Sequence, residues 1–430
     1  TSPVIGTSMA RIFFHLGKGR IRVEIPDRVL VGTYAPGEHP PTEAAEAIVA
    51  RSLSRPVGCD PIASQVAEGD KALIILDDIT RETPTRLLLP PILRQLESAG
   101  VGDKDIQMVF ALGTHRYMTG EEMARKAGED ALSRFHVFNH YWKDESMLSD
   151  LGSTRSGIPI SVNRRILESD WSIGVGNIVA HRVAGYTGGG KIVQPGLSGA
   201  ETTGRTHIMA GRFEGEDMLG VADNPVRAEI EEIAGKAGLK MIANTVMDGK
   251  GRMVGCFSGH PVKAHRKGVE ASDGIYSIPI DHKVDIAVVD SHPADIDMWQ
   301  AVKALEAAEL AVKPGGTIVM FSPCWEGASK EHPELEKHGY LYPSKAEALM
   351  ESGELKDLCS IAAMLHVGKI LEKMRVIVYT VGITRRETET LGFEYAADPQ
   401  EAVEMALKGA GTSPEVLAFK RAAEIVPRVR

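Results

Sequence analysis

The sequence is poor in several features, and each scarcity excludes something. No apolar run approaches the roughly 20 residues that span a bilayer, and no signal-peptide pattern opens the chain. The four cysteines, Cys59, Cys256, Cys324 and Cys359, stand far apart without a CxxC pair. That argues against a disulfide framework or a thiolate zinc site and fits a reducing, cytoplasmic setting. Basic residues are in the minority, 49 against 58 acidic ones, for a formal net charge of −9. Such a balance gives no reason to expect nucleic acid or an anionic membrane as partner, so any grip on an acidic ligand has to be local. No internal repeat, low-complexity tract or HExxH motif occurs. Gly174-Val-Gly176 fails the GxGxxG fingerprint at its third glycine, so a free dinucleotide is not expected.

What remains is a globular composition, 43% hydrophobic and 25% charged over 430 residues, too long for one ordinary core. Residues 1–8 read as an extension ahead of patterned sequence near Met9. Arg11 to Pro26 predicts a β-hairpin around Gly17-Lys18-Gly19, Val29 to Tyr34 a strand and Thr42 to Ser54 a helix. Short apolar runs then alternate with helical stretches: strands at Ala72–Leu76, Ile106–Leu112 and Trp171–Val175, helices at Pro84–Ser98 and Thr119–Ala127. A second hairpin is expected over Met241–Phe257. The alternation restarts with strands at Val284–Val289, Thr317–Phe321 and Arg375–Tyr379 and a helix over Met298–Val312. This is the pattern of α/β layering on a largely parallel sheet, with a boundary near residues 270–282.

Four strands run directly into polar clusters: Asp77 to Arg81, Gly113 to Arg116, Asn177 to Arg182, and Asp290-Ser291-His292. Carboxyl ends of strands are where open α/β sheets bind ligands. The densest cluster continues through Gly188-Gly189-Gly190-Lys191. Three glycines let a backbone approach a flat or anionic ligand, and the lysine that follows can be a charge, a base or a covalent anchor. Gly185 to Lys191 also satisfies GxxxxGK, the signature of a phosphate-binding loop. However, Ile192 stands where the magnesium-binding Ser or Thr belongs, and Pro195-Gly196 ends any helix within a turn.

Ser198-Gly-Ala-Glu201 has the form of a capping box, and His207 falls in the third turn of the helix it starts. His115, His181 and His207 are together suggestive. A zinc hydrolase could use three histidines, but their spacing matches no HExxH or HxH pattern. Arg81 lies where a carboxylate could be held bidentately, with Thr83-Pro84 opening the next helix. Asp297 is the expected cap of a helix on which Trp299 and Lys303, and Gln300 and Lys303, share a face.

In these segments the chain resembles the lactate racemase family. The shared features are Asp-x-Thr-Arg (Asp78 to Arg81), Gly-Thr-His (Gly113 to His115) and a histidine ten residues before a Gly-Gly-Lys lysine (His181, Lys191). A further histidine follows sixteen residues on (His207), and a Gln-x-x-Lys helix carries Gln300 and Lys303. The resemblance runs from about residue 10 to the C-terminal helix. It implies a nickel-pincer nucleotide, nickel pyridinium-3,5-bisthiocarboxylic acid mononucleotide, bound covalently to Lys191 and cradled by Gly188, Gly189 and Gly190, with His207 on nickel. It further implies His115 and His181 as acid/base residues on opposite faces of a 2-hydroxy acid. Arg81, Trp299, Gln300 and Lys303 would bind the substrate, and Asp78 would bind the cofactor or orient Arg81.

The expected activity is racemisation or epimerisation at C2 by hydride transfer through a 2-keto acid, in an enzyme matured by cofactor-biosynthesis enzymes. Trp299 stands where the family pattern has tyrosine, which favours a substrate other than lactate. A phosphate-binding enzyme using Gly188 to Lys191, or a ligand-binding homologue without catalysis, are the alternatives. Pattern and resemblance together imply two α/β domains, each with a mostly parallel or mixed sheet flanked by helices, and a site in the cleft between them. The domains are expected at 1–275 for the cofactor and 282–412 closing over the substrate, with residues 414–430 packing back on the first.

Overall fold

A computed structural model describes residues 8–430; all but the last residue of the extension expected at 1–8 lies outside it. The chain divides into two compact units. A middle unit comprises residues 37–210 and 220–275, and a flanking unit comprises residues 8–36, 211–219 and 276–430.

In the middle unit the apolar runs become a six-stranded sheet. Its spatial order is Met253–Gly259, Met241–Met247, Trp171–Asn177, Ala72–Asp77, Ile106–Ala111, His136–Asn139. Only the first pair is antiparallel, the hairpin expected at Asp248-Gly249. The others run parallel. Every residue of Ala72–Asp77, Trp171–Asn177 and Met241–Met247 is buried, as a sheet covered on both faces requires. Side chains alternate between two apolar layers. Ile74 and Leu76 face Leu88, Ile92 and Leu96 of the helix Thr85–Ser98. Leu73 and Ile75 face Ile192, Val193 and Leu197 on the opposite side. Consecutive strands lead from Ala72–Asp77 out to one edge, and later strands fill the other side of it. The strand order therefore reverses between Ala72–Asp77 and Trp171–Asn177, the crevice where such sheets bind ligands.

The flanking unit carries a second six-stranded sheet, in the order Glu394–Tyr395, Arg375–Tyr379, Val312–Phe321, Val284–Asp290, Val416–Phe419, Leu30–Tyr34. All its pairs are parallel. The hairpin Met9–Leu16 with Gly19–Pro26 turns at Gly17, which takes the positive φ of +60° that glycine tolerates. It buries Ile12, Phe14, Val23 and Ile25 against Ile286, Val288 and Phe321. The expected helix over Met298–Val312 is shorter and broken. It comprises Met298–Ala301, Lys303–Ala308 and a 3-10 turn, and Val312 already begins the strand that runs through Pro314-Gly315-Gly316.

Unit membership differs from the boundaries read in the sequence. Residues 8–36 belong with the flanking unit because Leu30–Tyr34 pairs with Val416–Phe419. Residues 414–430 stay in that unit too, since Val426–Val429 pairs with Ser277–Ile280. Parallel partners so distant along the chain leave no local trace. Two smaller expectations also change. Ser198 donates its hydroxyl to the Val193 carbonyl at 2.9 Å, and the helix begins two residues later at Ala200, so there is no capping box. Thr83 donates to the Asp77 carboxylate instead of capping the helix that starts at Thr85.

One buried carboxylate ties three parts of the flanking unit together. Asp290, at the end of Val284–Asp290, accepts the backbone N–H of His15 at 2.9 Å and that of Arg421 at 2.8 Å. Asp290→Asn would replace one acceptor oxygen with an N–H facing an N–H. The expected loss is about 1–3 kcal/mol in urea unfolding with native far-UV circular dichroism; an unchanged midpoint would contradict this role.

Candidate functional site

Nine of the sequence-selected residues fall in the middle unit: Asp78, Arg81, His115 and His181 within four residues of the carboxyl end of a parallel strand, Gly188 to Lys191 at a 3-10 turn, and His207 on the helix Ala200–Gly211. The segments that carry them are tied together. The Asp78 carboxylate accepts Nδ1–H of His115 at 2.6 Å, which joins the ends of two neighbouring strands. Gly113 N–H donates to the Gly196 carbonyl at 3.0 Å, which docks the His115 turn on the segment after Lys191. Gln194 donates to Thr206 Oγ1 at 2.7 Å, which docks the same segment on the His207 helix.

Asp78 is 4% exposed. Burial opposes its ionisation, but the His115 ring, the Arg81 charge and the Thr80 hydroxyl (2.5 Å) outweigh it and hold the carboxyl well below the ordinary carboxylate range. A carboxylate only accepts, so the neutral His115 ring carries its proton on Nδ1 and its lone pair on Nε2. Asp78 thus orients His115, whereas the expectation from the sequence was that it binds the cofactor or orients Arg81. Arg81 itself is half-buried and is held through its backbone. Lys126 donates to its carbonyl at 2.7 Å and pairs with Asp77 at 2.9 Å. Nothing in the sequence distinguished Lys126 from any other helix lysine.

His181 sits in a two-residue hairpin, Ala180–His181 against Gly185–Tyr186. Its Nδ1 accepts the Val183 N–H at 3.2 Å, so the neutral ring carries its proton on Nε2, the opposite arrangement to His115. His207 donates Nδ1–H to the Thr203 carbonyl one turn earlier, at 2.8 Å. That places the lone pair on Nε2, the usual arrangement of a histidine that binds a metal.

The Lys191 turn is not a phosphate-binding loop. Gly189–Ile192 is a single 3-10 turn with no long helix behind it. Ile192 is a core residue packed so closely on the sheet that a Cβ at Gly174 would stand 2.6 Å from it. The three glycines also have a different reason from the one expected. Cβ atoms would stand 2.7 Å from Asn244 at Gly188, 2.9 Å from His265 at Gly189 and 2.9 Å from Ala234 at Gly190. In those directions the missing side chains make room for protein, and the turn is seated tightly while half-buried Lys191 stands on it. Two buried atoms nearby in sequence, Gln194 Oε1 and Thr203 Oγ1, make no hydrogen bond among the described residues. Nor do any three His, Cys, Asp or Glu side chains among them form a metal-binding group. No helix of the described residues is long and apolar enough to cross a membrane.

The flanking unit holds the other three residues. Asp297 caps Met298–Ala301, accepting the Gln300 N–H at 2.9 Å, and the Lys303 ammonium donates to the Gln300 side-chain oxygen. The Trp299 ring stacks on His332, with centroids 4.1 Å apart and planes at 17°. His332 in turn donates Nδ1–H to Asp357 at 2.8 Å. The sequence reading missed His332 and Asp357, which lie far from Trp299 along the chain.

A family model described as the lactate racemase N-terminal domain matches residues 16–217, and one described as the lactate racemase C-terminal domain matches residues 280–426. A lactate racemase from Thermoanaerobacterium thermosaccharolyticum is 30% identical over 329 residues, covering 75% of this chain and 76% of its own length. One from Lactiplantibacillus plantarum is 32% identical over 288 residues, covering 66% and 67%. The solved lactate racemase apoprotein from Thermoanaerobacterium thermosaccharolyticum superposes with a TM-score of 0.84 at 26% identity, over 97% of this chain and all of its own. A Thermotoga maritima protein, 22% identical, shares the fold with a TM-score of 0.74 over 92% of this chain and all of its own.

The Asp78–His115 bond makes a direct prediction. In Asp78→Asn the amide can present N–H to the ring, so the Nδ1–H form of His115 loses its stabilisation. Nitrogen-15 spectra of labelled histidine should show the Nε2–H form of His115 rising; retention of the Nδ1–H form would remove Asp78 from this role.

Proposed function

The chain belongs to the lactate racemase family, and from that premise we propose that it inverts the C2 configuration of a small 2-hydroxy acid on a nickel-pincer nucleotide carried by Lys191. The observation that carries this reading is the opposite tautomers of two histidines. At Nε2, His115 offers a lone pair and His181 offers a proton. Inversion through a planar 2-keto acid needs both, one base to take the hydroxyl proton and one acid to return a proton to that oxygen once the carbonyl presents its other face to the hydride.

The residues fit the proposed group. Lys191 supplies an amine on a turn seated by three close glycine contacts, and His207 supplies an imidazole nitrogen with its lone pair on Nε2. Buried Thr203 Oγ1 and Gln194 Oε1 retain hydrogen-bonding capacity beside them in sequence. His207 would hold the nickel of the group through Nε2, an imidazole being a donor that nickel(II) accepts. When bound, this group supplies an acceptor for the C2 hydride, so that the substrate passes through a 2-keto acid and not a carbanion beside a carboxylate.

The rest falls to the protein. Arg81 holds the carboxylate, which its guanidinium can do bidentately; Gln300 and Lys303 are the substrate-binding residues proposed in the flanking unit. His115, with its Nδ1 proton fixed on Asp78, takes the hydroxyl proton at Nε2, which develops imidazolium charge beside a buried carboxylate. His181 delivers its Nε2 proton when the opposite enantiomer forms, and the two exchange roles in reverse. Trp299, fixed by its stack on His332, would set which C3 substituent is accepted; its bulk and lack of a hydroxyl favour a substrate other than lactate. Maturation would require the enzymes that make the cofactor.

Three measurements test this reading. Protein co-produced with the cofactor pathway should carry a mass adduct on a peptide containing Lys191, lost in Lys191→Ala. In the loaded protein, His115→Ala and His181→Ala should each lower kcat by about 10²- to 10⁴-fold. Deuterium at C2 of the substrate should survive inversion in ordinary water; its wash-out would mean proton abstraction instead of hydride transfer. A panel of enantiopure 2-hydroxy acids followed by optical rotation would identify the substrate.

A further inference from the structure

The segment linking His181 to Lys191 is fastened by a group that the proposed chemistry does not use. Arg227 lies on the helix Pro225–Lys236, whose cap Asn224 accepts the Arg227 N–H at 2.8 Å. Its side chain is 1% exposed. None of its donors reaches a carboxylate among the described residues; every one of its hydrogen bonds goes to a backbone carbonyl of one loop. Nε and Nη2 donate to Ala184 at 3.1 and 2.9 Å, Nη2 also donates to Tyr186, and Nη1 donates to Gly188 at 3.3 Å.

Those three carbonyls occupy the informative places in the loop. Ala184 and Tyr186 flank Gly185, the register partner of His181. The Gly188 carbonyl also accepts the Lys191 N–H at 3.2 Å, which opens the turn that carries the lysine. One planar guanidinium therefore spans the distance from the His181 hairpin to the Lys191 turn. Neighbouring groups fasten the remaining peptide. His265 accepts from Arg266 on Nδ1 at 3.0 Å and donates Nε2–H to the Thr187 carbonyl at 2.9 Å. Asn244 accepts the Gly189 N–H at 2.8 Å.

Burying a cation without a direct anionic partner is expensive, and burial pulls the Arg227 guanidinium down to about 10. For cohesion alone an apolar side chain of similar volume would serve as well. What it could not do is fix three carbonyls in one plane, and neither could the single ammonium of a lysine.

We propose that Arg227 is a positioning residue that sets the placement of His181 relative to Lys191. The proposal rests on the acid/base and anchoring roles given above to those two residues. A misplacement of about 1 Å at a reacting centre can cost about 10²-fold in rate, so kcat, not KM, is the sensitive quantity.

The test uses Arg227→Ala and Arg227→Lys in cofactor-loaded protein, with amide hydrogen exchange of residues 184–191 measured in the apo form. Arg227→Ala should still acquire the Lys191 adduct, lose about 10²-fold in kcat with KM within a few-fold, and regain part of kcat in low-millimolar guanidinium but not in ammonium or urea. Arg227→Lys should keep the fold, show faster exchange at 184–191 and remain impaired in kcat. Wild-type kcat in either variant would overturn the proposal. So would unchanged exchange in Arg227→Lys, or an activity loss that merely tracks the unfolded fraction. Should Arg227→Ala fail to fold, Arg227→Lys and its exchange pattern decide. Should the wild type invert no 2-hydroxy acid, the functional reading fails while the exchange experiment still tests the clamp.

Discussion

The strand Ala72–Asp77 is the constraint from which the site follows. It lies parallel between Ile106–Ala111 and Trp171–Asn177, with Asp77 opposite Ala111 and Leu76 opposite Val175. Parallel strands deliver their following loops to the same edge. That register therefore brings the Asp78 turn, the His115 turn and the segment leading to His181 to one end of the sheet. A slip of one residue would turn the apolar set of the strand to the wrong face, and full burial on both faces forbids it. The core of the middle unit thus fixes the address of the polar groups before any of them forms a bond.

Within that frame, hydrogen bonds divide the histidines into kinds. His140 and His265 use both ring nitrogens on protein groups and are buried; burial pushes His140 down to about 4 and His265 well below its usual value. They are neutral fastenings. His115 and His207 each give Nδ1–H to an oxygen, a carboxylate in one case and a carbonyl in the other. His181 receives a backbone N–H instead. Identical side chains are thereby given different tautomers by their neighbours.

Much of this was legible in the sequence. Most strands of both sheets follow from apolar runs, though the short His136–Asn139, Glu394–Tyr395 and Val416–Phe419 do not, and Asp297 follows from a capping residue ahead of a helical face. The motifs around Asp78, His115, His181, Lys191 and His207 stand out because each follows a strand or shares a helix. What stayed hidden depended on partners distant in the chain. The true partner of Asp78 is 37 residues away, and His332 meets Trp299 only through folding. Lys126 and Arg227 look like ordinary helix residues until their carbonyl acceptors are known. The glycine run misled in an instructive way. A glycine signals that something comes close, but the sequence does not say whether it is a ligand or, as at Gly188, Gly189 and Gly190, the protein's own Asn244, His265 and Ala234.

The pairing of Leu30–Tyr34 with Val416–Phe419 has a consequence for the order of assembly. All six strands of the middle-unit sheet have been synthesised once Gly259 has been made, so that unit can close while the rest of the chain is still being added. Leu30–Tyr34, made long before, has no neighbour in its sheet until Val416–Phe419 appears. For most of translation its backbone N–H and C=O groups are an open edge, the kind of surface that recruits other strands. The nascent chain must therefore carry this strand unpaired until residue 419 has been made, and the flanking unit is where crowding, slow elongation or a missing chaperone would be felt first.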